Sequence, residues 1–154
     1  MSDSARHGPG DQAHPVGPTA LLPGHYGPAQ VYICGPMRGL PRRNFSAFFA
    51  AEDLLAGQGW KVWNPARVDI ELDGFNPDTD ENALTMPEYM RRDFIAILSC
   101  EAVAMLPGWE RSEGGRREVS LTIGLALLII DATTGEPYDF SVYADGVPEP
   151  PFTL

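Results

Sequence analysis

Hydrophobic residues follow one another along this chain in two alternating spacings. Short unbroken apolar runs, most of them followed by glycine, proline or asparagine, predict buried strands over residues 30–34, 60–63, 102–106 and 127–130. Segments in which apolar residues recur every three or four positions separate these runs and predict helices. The expected fold class is therefore α/β, with a small parallel sheet in a flavodoxin-like or Rossmann-like doubly wound layout.

Three helices are predicted between the strands. The first carries phenylalanine and leucine at near-helical spacing from Phe45 to Leu55 and ends at the glycines of 57–59. The second opens with a capping box over 85–88 and directs Met90, Phe94, Ile97 and Leu98 inward. The third covers 117–127. Each helix would connect one predicted strand to the next.

Two further segments are predicted from turn residues and from missing periodicity. The stretch 66–84 is acidic and without a clear period, so we expect a long mobile loop there. Thr134 and Gly135 suggest a hairpin that leads into a further strand over 138–143.

The length of 154 residues predicts one compact domain. We assign it to residues 29–146. The preceding residues 1–28 are rich in glycine, proline, histidine and serine and are expected to form a flexible extension, and 147–154 is expected to be a proline-rich tail.

The formal net charge of -10 argues against nucleic-acid polymers and anionic membranes as partners, since both reward a basic surface. A small anionic ligand stays possible where basic groups are concentrated. Arginines do cluster near the motifs described below, although solvated arginines on helix faces would give the same pattern. They are Arg38, Arg42, Arg43, Arg91, Arg92, Arg111, Arg116 and Arg117.

The cysteines and the hydropathy pattern bear on location. Cys34 and Cys100 border predicted strands and are expected to be buried, reduced thiols. No signal peptide and no apolar run of about 18 residues is visible. We therefore expect a cytoplasmic protein without a membrane partner.

Three motifs place chemistry at the carboxyl ends of predicted strands, where open α/β sheets bind ligands. They are VYICGPMRG at 31–39, MRRDF at 90–94 and SEGGRRE at 112–118. Ser112, Gly114 and Gly115 suggest a phosphate cradle at the start of a helix, because backbone N–H groups and the helix dipole favour anions there. Ser112 would equally serve as a plain N-cap, and Glu118 as a favourable charge in the first turns of the helix.

These motifs, in this order and separation over about 30–130, resemble the nucleoside 2-deoxyribosyltransferase superfamily, and most of all its 2'-deoxynucleoside 5'-monophosphate N-glycosidases. The resemblance implies that Glu118 is the nucleophile, that Asp93 assists the leaving base and that Tyr32 orients the glutamate. It also implies that Ser112 holds a 5'-phosphate, where the transferases tend to carry aspartate. Arg38, with Gly35, Pro36 and Met37, would contact phosphate or base. Met37 and Trp109 would wall the base or belong to the core.

The expected activity is hydrolysis of the N-glycosidic bond of a (deoxy)nucleoside 5'-monophosphate, and the expected partner is that small nucleotide. Such cleavage passes through an oxocarbenium-like state, so one carboxylate stands beside the anomeric carbon and a second group protonates the base. Neighbouring carboxyls push their pKa values apart, which would let Asp93 hold the proton while Glu118 stays ionised. Asp93 would otherwise be an exposed helix residue paired with Arg91 or Arg92.

Two alternatives stay open. The protein is otherwise a deoxyribosyltransferase that passes the sugar to another base, or a nucleotide-binding module without turnover, for which Ser120 in place of a family glycine is the main indication. By resemblance we expect a homodimer or higher homo-oligomer. No cofactor and no metal are expected, because His7, His14 and His25 lie in the extension without neighbouring cysteine ligands.

Overall fold

The computed structural model describes residues 27–143. These residues form an α/β fold with a four-stranded, all-parallel sheet flanked by helices, as the hydrophobic pattern predicted. The expected flexible extension, apart from Gly27 and Pro28, and the proline-rich tail lie outside the described residues. The strands are β1 (Gln30–Cys34), β2 (Lys61–Trp63), β3 (Ala102–Met105) and β4 (Leu128–Asp131). The helices are α1 (Phe45–Gly57), α2 (Pro65–Glu71), α3 (Met86–Leu98) and α4 (Glu113–Gly124).

The strand order is β2-β1-β3-β4, so the chain first extends the sheet to one side of β1 and then to the other. Val31 pairs with Val62 of β2 and with Ala102 of β3, which makes β1 a central strand. The reversal of direction lies between β1 and β3. In an open parallel sheet a crevice forms there, outside the carboxyl ends of the strands.

Helices cover both faces of the sheet, and the side chains of β1 alternate between them. Val31 and Ile33 pack with α1, whereas Tyr32 and Cys34 pack with α3 and α4. A strand covered on both sides reads as an unbroken apolar run, which is why β1 was recognisable in the sequence. The alternation directs the Tyr32 side chain toward the helix that carries Glu118.

The start of α4 differs from the prediction. The helix begins at Glu113, four residues before the expected position 117. Ser112 is its N-cap, and the Ser112 hydroxyl oxygen accepts the Gly115 N–H at 3.1 Å. The two glycines carry no side chain, so the first turn has no apolar period to read, and the cap sets the boundary instead. The predicted capping box of α3 is present: the Glu88 carboxylate accepts the Thr85 N–H at 2.8 Å.

The expected loop over 66–84 is wrong for its first part. Asn64 accepts the Ala66 N–H at 3.0 Å and caps α2, which begins with Pro65 at a position that favours helix initiation. The rest forms a turn closed by a bridge between Asn76 and Glu81.

Two smaller expectations are also wrong. Leu98 of α3 is 58% exposed, because the helix turns Asp93, Ala96 and Ile97 inward instead. Residues 138–143 form no strand: after a turn, one bridge joins Ile130 to Pro137 and a short 3-10 helix follows at Phe140–Val142.

Cys34 and Cys100 are buried and free, as predicted. Between residues 27 and 143 no helix is both long and apolar enough to cross a membrane.

Candidate functional site

A cavity of about 480 Å³ opens where β1 and β3 end. All ten residues that the sequence singled out lie along its wall, although they come from three separate stretches of the chain. They are Tyr32, Gly35, Pro36, Met37, Arg38, Asp93, Ser112, Gly114, Gly115 and Glu118. The parallel sheet explains this convergence, since the carboxyl ends of its strands share one edge.

Glu118 lies on the inner face of α4 and is only 5% exposed. The Tyr32 hydroxyl donates a hydrogen bond to Glu118 Oε1 at 3.1 Å. The Thr122 hydroxyl donates to the Glu118 carbonyl at 2.7 Å and ties the next turn of the helix to it. The carboxyl is thus fixed in orientation by β1 and lies at the cavity wall.

Glu118 and Asp93 form a coupled acid pair. Burial, with the neighbouring Asp93 charge, raises the pKa of Glu118 to about 8. Burial also raises the pKa of Asp93, but the Arg92 guanidinium opposes it, and the value stays at about 6. Burial raises the pKa of the Tyr32 hydroxyl, and the nearby Asp93 and Glu118 carboxyls raise it further, so the hydroxyl keeps its proton for the bond to Glu118.

The order of these two pKa values reverses our expectation. The Arg92 guanidinium pairs with Asp93 and favours the ionised form of that carboxyl, whereas burial and the Asp93 charge favour the protonated form of Glu118. The expected separation of the two pKa values is present, and its direction is set by Arg92.

Arg92 organises the acidic side of the cavity. Its Nε donates to Asp93 Oδ1 at 3.0 Å, and its NH1 nitrogen donates to Asp69 at 2.7 Å and to Asp73 at 2.8 Å. Its guanidinium also lies 5.2 Å from the centre of the Tyr89 ring. One arginine therefore joins α2, the turn after it and α3 around the site.

The glycine loop forms the opposite end of the cavity. At Gly115 a Cβ would lie 2.9 Å from the Trp109 carbonyl oxygen, so only glycine fits this close approach. The Gly115 N–H is already taken by Ser112, whereas the first N–H groups of a helix have no intrahelical acceptor. An anion would thus meet the N–H groups of Glu113 and Gly114 and the Ser112 hydroxyl, which is free to donate.

The loop after β1 supplies a basic wall. Arg38 is exposed at the cavity, with its guanidinium 5.7 Å from the centre of the Tyr89 ring. Gly35 permits this loop to pass close to the one after β3, since a Cβ there would lie 2.8 Å from Leu106 Cβ. Arg111, also at the wall, is 84% exposed and lies 3.7 Å from the Glu110 carboxylate.

Sequence reasoning missed several residues of the wall. Asp69 is the clearest, because it lies in the stretch expected to be a loop. The Asn64-Pro65 pair, a cap followed by proline, was the signal that could have found its helix. Other lining residues are Leu40, Arg43, Phe48, Pro65, Phe75, Met86, Tyr89, Met90 and Arg92.

Trp109 does not wall the cavity. It is fully buried, and its indole N–H donates to the Tyr138 hydroxyl at 3.1 Å. It belongs to the core beneath the glycine loop.

Within 27–143 no group of three or more histidine, cysteine, aspartate or glutamate side chains is placed to hold a metal ion. Asp69, Asp73 and Asp93 do converge, but Arg92 occupies the space between them.

Residues 29–131 match the family model described as a domain of unknown function, DUF4406. The chain belongs to the DUF4406 family. The DUF4406 match extends from just before β1 to the end of β4 and includes all ten predicted site residues. No curated protein matches the chain.

Proposed function

We propose that this protein is an N-glycosidase that hydrolyses a (deoxy)nucleoside 5'-monophosphate to a free base and (deoxy)ribose 5-phosphate. The observation that carries the proposal is the buried pair of Glu118 and Asp93, with Tyr32 donating to Glu118, in the same cavity as the first turn of α4. An acid pair suits cleavage of a glycosidic bond, and an anion cradle beside it suits a phosphorylated sugar.

The reaction needs one proton and one negative charge on the pair. Asp93 gives its proton to the leaving base nitrogen while the C1'–N bond breaks, and both bonding electrons go to the base. The Glu118 carboxylate faces C1' and stabilises the positive charge that develops there, with or without a covalent bond. Water then adds to C1' and returns a proton to Asp93, which restores the pair.

Tyr32 has a defined part in this cycle. Arg92 favours the ionised form of Asp93, whereas the reaction requires the proton on Asp93. The Tyr32 hydroxyl donates to Glu118 Oε1 and stabilises the ionised form of that carboxyl, which is the form that faces C1' in the reaction. A substrate base that accepts a hydrogen bond from Asp93 raises the pKa of Asp93, since it stabilises the protonated form.

The start of α4 and two arginines at the cavity wall would bind the 5'-phosphate of the substrate. Ser112 Oγ accepts one N–H and keeps its own proton for a phosphate oxygen. Arg38 and Arg111 are placed to add charge. These local donors allow an anion to bind a protein of formal net charge -10.

The direct test is to incubate the purified protein with a panel of ribo- and deoxynucleoside 5'-monophosphates and to measure free base. Base release from a monophosphate without an added acceptor supports the hydrolase. Release only when a second base is supplied would favour the transferase. Tight nucleotide binding with no release would favour the binding module.

We keep the cytoplasm as the proposed location, because the two cysteines are free and buried and no disulfide joins them. We also keep the homo-oligomer as a proposal, with its test given below.

A further inference from the structure

One buried carboxylate in the cavity has no part in the chemistry proposed above. The Asp69 side chain is only 3% exposed and lines the cavity. Its Oδ1 accepts the hydrogen bond of Arg92 at 2.7 Å. No donor from the described part of the chain reaches its second oxygen, Oδ2. Asp69 Oδ2 is not one of the fully enclosed unpaired atoms and is open to the cavity, where a carboxylate oxygen is suited to a ligand N–H.

The position of Asp69 along the sheet edge shows which part of a nucleotide it would meet. The phosphate cradle follows β3, Tyr32 lies on β1 next to it, and Asp69 lies on the helix that follows β2, on the far side of β1. Strands lie about 4.8 Å apart, so the path from β3 to β2 covers about 10 Å. A nucleotide laid along this edge puts phosphate, sugar and base above β3, β1 and β2 in turn.

The charges around Asp69 restrict the kind of base. Three carboxylates, those of Asp69, Asp73 and Asp93, share the single guanidinium of Arg92. Arg43 also lies at the cavity wall near Asp69, but it is paired with Asp80, so carboxylates outnumber cations on this side and a carboxylate oxygen repels a carbonyl oxygen. An N–H donor is attracted to the same oxygen.

We propose that Asp69 is a specificity-determining residue: its free carboxylate oxygen accepts the N–H of an exocyclic amino group on the base. The site then takes amino-bearing bases, such as cytosine and adenine, in preference to their oxo counterparts. This inference rests on the proposed N-glycosidase function.

The test compares substrates that differ only in this group: dCMP with dUMP, and dAMP with dIMP. Wild-type protein should release the amino base at least about tenfold faster in kcat/KM within each pair, because a site built to bind a donor rejects an analogue that presents an acceptor. Asp69→Asn offers an amide N–H in place of one carboxylate oxygen, and its carbonyl still accepts the bond from Arg92. This variant should lose or invert the preference.

Asp73→Asn is the matched control. Asp73 contacts the same Arg92 nitrogen but does not line the cavity. Its replacement perturbs Arg92 to a similar extent. It should leave unchanged the ratio of kcat/KM for the amino-bearing substrate to kcat/KM for its oxo counterpart. A shift of the ratio in Asp73→Asn equal to that in Asp69→Asn would overturn a direct contact with the base.

A binding measurement keeps the inference separate from turnover and from the folding of Asp69→Asn. In Glu118→Gln, calorimetry should show tighter binding of dCMP than of dUMP. That preference should disappear when Glu118→Gln is combined with Asp69→Asn. If wild type hydrolyses both members of each pair equally, the Asp69 inference fails and the glycosidase stands. If no nucleotide releases base while dCMP still binds more tightly, the glycosidase fails and the Asp69 contact stands. Equal or absent binding of dCMP and dUMP to Glu118→Gln overturns the contact.

Discussion

At the scale of single residues, two buried carboxyls, those of Glu118 and Asp93, lie at the centre of the proposed chemistry. Glu118→Gln should reduce base release by at least about a hundredfold and keep nucleotide binding, because the lost charge acts mainly in the transition state. Steady-state kinetics and calorimetry measure the two effects. Turnover near the wild-type rate would remove Glu118 from the mechanism.

The same substitution should change stability in the opposite sense. The folded-state pKa of Glu118 is raised to about 8, above its unfolded value of about 4.3. Its contribution to stability is full below the unfolded pKa and is lost as pH rises through the folded pKa. Glu118→Gln should therefore melt at a higher temperature than wild type at pH 9, by the equivalent of at least about 1 kcal/mol, and differ little at pH 4.

The pair also sets the pH dependence of the reaction. With the pKa of Asp93 at about 6 and that of Glu118 at about 8, it holds a single proton between those values. The profile of kcat/KM should be bell-shaped with its maximum in that range. In Asp93→Asn the alkaline limb should disappear, because the variant has no second carboxyl that must keep its proton, and a single acidic limb that belongs to Glu118 should remain. An unchanged profile in this variant would exclude the pair as its origin.

Substitutions at Ser112 test whether the site binds a nucleoside 5'-monophosphate or a nucleoside without phosphate. Ser112→Asp should abolish the preference for a monophosphate over its nucleoside, because like charges in a partly buried pocket repel by several kcal/mol, on the order of what two or three hydrogen bonds contribute. Ser112→Ala should cost only about 1 to 2 kcal/mol. A wild type that prefers nucleosides, with Ser112→Asp unchanged, would favour the transferase.

At the scale of elements, α4 ends in a capping motif in which alanine occupies the position that favours glycine, and glycine occupies a helical position that favours alanine. The Leu127 N–H donates to the Thr122 carbonyl at 3.1 Å and the Ala126 N–H to the Ile123 carbonyl at 3.0 Å, which is a Schellman motif. Its left-handed position holds Ala126, with φ of 52°. Glycine favours that position, yet the only glycine here, Gly124, is inside the helix.

Exchanging these residues should therefore stabilise the protein. Ala126→Gly removes the cost of a Cβ at positive φ, and Gly124→Ala lowers the entropy cost within the helix, where a Cβ meets no atom within 4 Å. Each should add about 0.5 to 1 kcal/mol to the free energy of unfolding. Urea unfolding measures both, and a loss of stability in Ala126→Gly would contradict the motif.

How far the sequence predicted these elements depends on whether the signal was local. β1 and the cap of α3 were recognisable because a buried strand and a capping box are each defined by residues that are adjacent or nearly adjacent in the sequence. The first turn of α4 and the whole of α2 were missed, since glycines and acidic residues show no apolar period. The candidate site residues came from the three motifs and from the family resemblance, and the parallel sheet brings them to one cavity because its strand ends share one edge. Asp69 and the order of the two pKa values were not, because both depend on where Arg92 lies in three dimensions.

At the scale of the whole molecule, the expected homodimer remains a prediction, and the structure offers a surface on which to test it. α3 and α4 cover the same face of the sheet, and their outer sides expose Ile95, Leu98 and Ile123 at 69, 58 and 50%. Light scattering at micromolar concentration should give a dimer or a higher oligomer. Leu98→Glu should shift it to monomer without lowering the melting temperature of the monomer, as the side chain is already exposed. A fully active wild-type monomer would refute the expectation.

The two buried thiols give the fold a pair of natural reporters. Cys34 lies beneath the glycine loop, with Sγ 3.7 Å from the Gly115 carbonyl oxygen, whereas Cys100 lies just before β3, at the amino end of the sheet. Burial raises the pKa of both thiols, so reagents that attack the thiolate reach them only when the structure opens. Their relative labelling rates distinguish a local breathing of the glycine loop from an opening of the entire molecule.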